Sequence, residues 1–278
     1  MFALPDASAN SVAFEHQCSR CAGTAVAAAQ VPQALTQAPF ASRSRFSDPP
    51  TDDEILRVGI LPQPLAPMGG SMEADENRTL GTALLAYNKS QKSGAFPDAV
   101  GPLTDFLKTH PHSRWRAALF MNLGIIYRTT GHMSKTLEAW QRAWDLSKDA
   151  SDAKARAVAD YSVGELAEFE AYLGRFETLA PLLAEVKGRP MHGPGAAKIS
   201  DASQGLAEMH RWPQDAFRCG PMALHRICLL RGRTAEAYRL EKTRSTMRGT
   251  SLTQVVGWAH EAGLDFQMAH RKTGAALI

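Results

Sequence analysis

Long apolar runs, cysteines and an excess of charge are all scarce in this sequence of 278 residues. No stretch approaches the roughly 20 consecutive apolar residues that span a bilayer, so no transmembrane segment is expected. Four cysteines in so long a chain do not make a disulfide scaffold. The net charge is only +3, and the basic residues are scattered, so a nucleic-acid surface is not expected. Residues 1–10 have neither a basic end nor an apolar core, and no signal peptide is read there. His110, His112 and His132 lack the partner spacing of a metal site. Neither a metal nor a cofactor is expected, and the compartment of a soluble chain stays open.

What is present falls into three parts. Residues 1–72 are rich in Ala, Ser, Pro and Gln without a sustained period, and read as a disordered leader and linker. Cys18-Ser19-Arg20-Cys21 lies inside it, with no second pair to close a four-ligand zinc site. A redox role would want a flanking strand and helix that this stretch does not offer.

From residue 73 to about 190 the pattern is helical and repetitive. In residues 113–148, Leu123, Gly124 and Tyr127 lead to Gly131, and then Trp140, Ala143 and Trp144 recur at helical spacing. This resembles the tetratricopeptide repeat, a pair of antiparallel helices over about 34 residues. Thr136 stands where the repeat usually has Ala, and Lys148 where Pro often ends the unit. Weaker copies flank it, one turning at Gly94 before Leu103 and Phe106, the other at Gly174 between Leu166 and Leu179. Three such units suffice for a self-supporting stack with a face for peptides or neighbouring domains. The plainer alternative is packed hairpins that bind nothing. Trp115, Trp140 and Trp144 are candidate groove anchors, but aromatic residues at this spacing are more often core.

After a break at Gly188, Pro190, Gly193 and Pro194 comes the chemically most suggestive segment, Phe217-Arg218-Cys219-Gly220-Pro221-Met222-Ala223-Leu224. Pro221 suits a first helical turn, and Ala223, Leu224, Ile227 and Leu230 are spaced to bury one face. A helix start favours the reactive thiolate over the thiol. Gly220 keeps the approach to the sulfur open. Gln214 upstream is a candidate second oxyanion donor beside the Cys219 N–H, if its loop bends back. A general base is harder to find: His225 shares the helix of Cys219, and His210, His260 and His270 have no evident orienting carboxylate. Cys228 reads as buried filler, too far along the same helix to bridge to Cys219. Downstream, Ser251 and Gln254 form a capping box, Gly263 ends the helix, and residues 264–269 alternate like a strand.

The cysteine segment, followed by Gly249-Thr250-Ser251-Leu252-Thr253-Gln254-Val255-Val256-Gly257-Trp258-Ala259-His260, resembles the first half of a papain-like cysteine peptidase. The specific family is the bacteriocin-processing peptidases, which remove double-glycine leader peptides. The resemblance covers residues 212–278. It implies Cys219 as nucleophile and Gln214 as oxyanion donor, although the family's glutamine usually stands one residue farther upstream. It places a His and then an Asp on later strands, beyond residue 278, so the chain alone is expected to be inactive. Exposed apolar surface is expected around Leu224 and Val255. Helical repeats beside such a module also resemble large bacterial Rhs-repeat proteins.

The expected fold is mostly α: a tetratricopeptide-like helical hairpin stack, residues 73–190, then a truncated α+β papain-like half-domain, residues 191–278. The expected activity is peptide-bond hydrolysis through Cys219. The rival is a non-catalytic scaffold whose repeats bind a protein partner.

Overall fold

The computed structural model describes residues 46–69, 74–92, 98–191 and 193–265, all within the unit Phe40–Ile278. The chain is mostly helical there, with no strand among the described residues. Cys18, Cys21, Gly94, His270 and residues 266–269 of the expected strand lie outside them. Leu264 and Asp265, at the start of that expected strand, are not extended into a sheet.

The first core joins segments that composition alone separates. Helix α1, Asp52–Arg57, opens on a capping box in which Thr51 and Glu54 satisfy each other's backbone N–H groups. It packs with α2, Ala74–Lys92, α3, Gly101–Thr109, and α4, Arg116–Thr129. Ile55, Val58, Leu65 and Ala66 are buried in this core, so residues 46–69 are structural rather than part of a mobile linker. Trp115 is fully buried, and its indole N–H donates to Asn77 Oδ1 at 3.0 Å. Asn77 in turn donates to the Pro50 carbonyl and to Asp52, which ties the early segment to α2 and α4.

The second core lies between α4 and the helices that follow: α5, Met133–Ser147, α6, Ala153–Tyr172, α7, Phe176–Glu185, and α8, Pro194–Arg211. Gly124 faces the Trp140 indole so closely that a Cβ there would overlap the ring. Trp140 is fully buried, donates to the Met121 carbonyl at 3.1 Å and meets Phe169 edge-on. Trp144 is buried as well, beneath the Arg189 guanidinium. These tryptophans are core, which removes them as anchors for a ligand.

Phe217 carries the chain from this array into the third core. Its ring is buried against Phe176 and against Gly174, where any side chain would crowd it. Helices α9, Pro213–Ala216, α10, Cys219–Leu230, α11, Thr234–Glu241, and α12, Leu252–Glu261, follow. The last three share a small core of Leu224, Cys228, Ala237, Leu240, Ala259, Ala262 and Leu264.

One turn recurs in all of this. Gly131, Gly174 and Gly232 each adopt φ near +70°, and the residue after each, His132, Arg175 or Arg233, is the N-cap of the next helix. Its N–H reaches back in each case, to the carbonyl of Tyr127, Glu170 or Cys228. A buried leucine stands at the same place ahead of each glycine: Leu123, Leu166 and Leu224. The α10–α11 pair is therefore a helical hairpin built like α4–α5 and α6–α7.

Candidate functional site

Cys219 is the first residue of α10 and its side chain is exposed. No side chain caps this helix start, and Pro221 contributes no N–H, so the first turn presents few donors, close to the sulfur. Arg218, the N-cap, is held by its Nε donating to the Thr243 carbonyl at 2.9 Å, while Nη1 sits 3.8 Å from Asp215. The Arg218 guanidinium is thus turned toward the Thr243 carbonyl and the Asp215 carboxylate.

Gly220 has a different task from the one composition suggests. A Cβ on it would come within 2.9 Å of the Thr250 and Val255 methyl groups. Its bare backbone lets the start of α10 rest against Thr250 and the first turn of α12. The two segments that carry the peptidase resemblance therefore meet at one point.

The buried face of α10 also differs from expectation. Pro221, Leu224 and Cys228 point inward, whereas Ala223, Ile227 and Leu230 are exposed. This helix is apolar on most sides, so spacing alone cannot choose a face; α11 and α12 choose it. Leu224 is buried and Val255 half-buried, so the exposed apolar surface lies elsewhere, at Ile227, Leu230, Tyr238 and Leu252.

Gln214 lies in α9. Its side-chain amide faces Asp215 at 3.4 Å, and its carbonyl accepts from the Ser245 N–H at 3.0 Å. Ser245 then meets the Thr250 hydroxyl at 3.1 Å. The glutamine's backbone is thus part of the loop over the α10 start, while its amide hydrogen bond runs along α9.

The histidines are occupied elsewhere. His225 Nδ1 lies 2.9 Å from the Ala237 carbonyl, across the α10–α11 hairpin. His210 meets the edge of Phe176. His260 is on the exposed side of α12. No cluster of three or more His, Cys, Asp or Glu suited to a metal ion occurs among the described residues.

The capping box of α12 has the geometry its sequence predicts: Ser251 Oγ accepts from the Gln254 N–H, and Gln254 Oε1 accepts from the Ser251 N–H at 2.9 Å. Gly263 closes the helix with φ +63°. Helix α11, in contrast, occupies a stretch whose sequence suggests only a connection. Its signals are the Gly232 turn and a two-residue apolar stripe, Ala237 and Leu240. Arg233 fixes this helix by donating to the Ala262 carbonyl at 2.9 Å.

No described helix is long and apolar enough to cross a membrane. No family model, curated protein or solved structure matches the chain.

Proposed function

We propose that residues 212–278 form the N-terminal part of a papain-like cysteine peptidase module of the bacteriocin-processing kind. A tetratricopeptide-like hairpin array precedes it. Cys219 is the nucleophile and a polypeptide is the substrate. The observation that carries this reading is the contact of Gly220 with Thr250 and Val255, which joins the two motif segments beside an exposed thiol on an uncapped helix start.

In the chemistry this implies, the Cys219 thiolate attacks a peptide carbonyl and the oxyanion forms near the N–H of Cys219. The C–N bond then breaks, the amine leaves with a proton, and water resolves the thioester. The general base and its orienting carboxylate belong, by resemblance, to strands that follow α12. Gln214 serves as oxyanion donor only after its amide leaves Asp215.

The test is acylation by p-nitrophenyl acetate, which needs a nucleophile but little else. The expected result is release of nitrophenolate close to one equivalent, with the acetyl group mapped to Cys219. Cys219→Ala loses the burst and Cys228→Ala, at a buried thiol, keeps it. Acetylation of Cys219 no faster than that of free cysteine would sink the proposal.

A second reading is favoured by the turn geometry. Because α10–α11 repeats the Gly131 and Gly174 turns, the cysteine helix also fits as one more hairpin of a protein-binding scaffold. Under that reading Cys219→Ala leaves every activity of the chain unchanged.

A further inference from the structure

The basic residues, scattered along the sequence, are unevenly paired in the structure. Between Cys219 and Arg248 seven Arg and Lys stand against two acids, Glu236 and Glu241, an excess above the +3 of the whole chain. In the array such cations are matched, as Arg128 is with Glu165 and Arg189 with Asp160. Arg226, Arg231, Arg239, Arg244 and Arg248 are exposed and form no ion pair among the described residues. Exposed apolar side chains collect in the same stretch: six of the eleven large ones among the described residues fall between Met222 and Leu252.

Both properties coincide on α10. Pro221, Leu224 and Cys228 make its buried side, and the opposite side is a stripe of Met222, Arg226 and Leu230 at four-residue spacing, flanked by Ile227 and Leu229. Leu230 is the most exposed large apolar side chain among the described residues, and Arg231 follows it at the tip of the hairpin. The helix carries no acidic residue, so a second copy laid against this face would set arginine against arginine. A folded acidic partner also fits poorly, because burying Arg226 in mid-stripe needs a carboxylate fixed opposite it. A lipid surface asks for no such register. Arginine stems lie along apolar groups there, while their heads reach phosphates and carboxylates that are present at every position. With 12 residues, α10 is too short to cross a bilayer and can lie in its interface.

We propose that the outer face of α10 seats the chain peripherally on an anionic lipid surface. Met222, Ile227 and Leu230 enter the boundary between headgroups and acyl chains, and Arg226 and Arg231 hold anionic headgroups. Arg239, Arg244 and Arg248 add to the local positive field. This goes beyond the chemistry of Cys219 and does not depend on it.

The experiment is cosedimentation of the full chain with vesicles of phosphatidylcholine, alone or mixed with phosphatidylserine. Binding to the mixed vesicles is expected to be at least about tenfold tighter and to weaken as salt rises. Arg226→Gln with Arg231→Gln is expected to lower that affinity at least about tenfold, at about fivefold for each charge lost. Arg57→Gln with Arg142→Gln removes the same charge from exposed sites elsewhere and is expected to change it less than about twofold. Leu230→Asp, at an exposed position, is expected to keep the fold and to lower the affinity at least about tenfold. Cys219→Ala is expected to bind as wild type does, whatever the outcome of the acylation test. Equal binding to both kinds of vesicle, or a Leu230→Asp chain that binds like wild type, overturns the proposal. So does poly-glutamate that binds as tightly as the mixed vesicles and with the same sensitivity to Leu230→Asp, which would make the face a polypeptide site.

Discussion

The array of α4–α8 and the group of α10–α12 use the same hairpin turn but bury very different amounts of it. In the array the large aromatic residues are inside: Trp115, Trp140, Trp144 and Phe169 are at most 2% exposed, and each indole N–H has an acceptor. In the other group Ile227, Leu230, Tyr238 and Leu252 stay exposed, and the core is made mainly of Leu, Ala and one Cys. Identical turn chemistry therefore does not imply equal stability. The turn sets which helices pair, and the volume buried between them sets how firmly.

The sharpest break in this comparison is Trp140→Ala. Removing a fully buried indole, with the loss of its hydrogen bond to the Met121 carbonyl, is expected to cost about 3–5 kcal/mol. The same truncation at Leu230, which is 74% exposed, is expected to change stability by no more than about 0.5 kcal/mol. Thermal melting followed at 222 nm measures both, and similar losses would show that the two groups are held alike.

The glycines sharpen the contrast. Gly124→Ala drives a methyl into the Trp140 ring, which is enclosed, and is expected to cost about 1–3 kcal/mol. Gly220→Ala meets the ends of two half-buried side chains, Thr250 just before α12 and Val255 in its first turn. It is expected to cost less, and the loss should appear as faster hydrogen exchange in α10 and α12 while α4 and α6 stay protected. Exchange that quickens throughout the chain would mean that the small core and the array unfold as one unit.

Much of the local structure is legible in the sequence because it depends on a few neighbouring residues. Ser251 with Gln254, the glycine turns at 131 and 174, and the inward tryptophans are signals that tertiary context reinforces. Thr51 with Glu54 is an equal signal, lost among the prolines that surround it. The face of α10 is not legible, since an all-round apolar helix is oriented by its neighbours and not by its own period. The burial of Leu65 is hidden for a similar reason: residues 61–68 have no helical period, and Asn122, which accepts from the Gln63 N–H, is remote in sequence. At Cys219 the helix start is legible, but the contact that makes Gly220 necessary comes from a segment beyond α11.

The two capping boxes give the smallest predicted effects and the cleanest comparison. Substituting Ser251 by Ala is expected to cost about 1 kcal/mol, read in the melting of α12. The two boxes also differ in one respect that pH can reveal, because the α1 box closes with the carboxylate of Glu54 and the α12 box with the amide of Gln254. The Ser47 hydroxyl and the Thr51 N–H donate to Glu54 and push its pKa down from an ordinary 4.5 to about 2. A depressed carboxylate stabilises fully above its unfolded value and loses that contribution as pH falls through the folded one. The α1 box should therefore hold above about pH 4.5 and fade between there and about 2, whereas the α12 box has nothing to titrate. In an NMR titration the Thr51 amide shift is expected to move with a midpoint near 2, and the Ser251 amide to stay flat. Glu54→Gln should make the first behave like the second, and Ser47→Ala should move its midpoint up, because the largest cause of the shift is then gone. A Thr51 midpoint at 4.5 in the wild type would mean that the α1 box is open in solution.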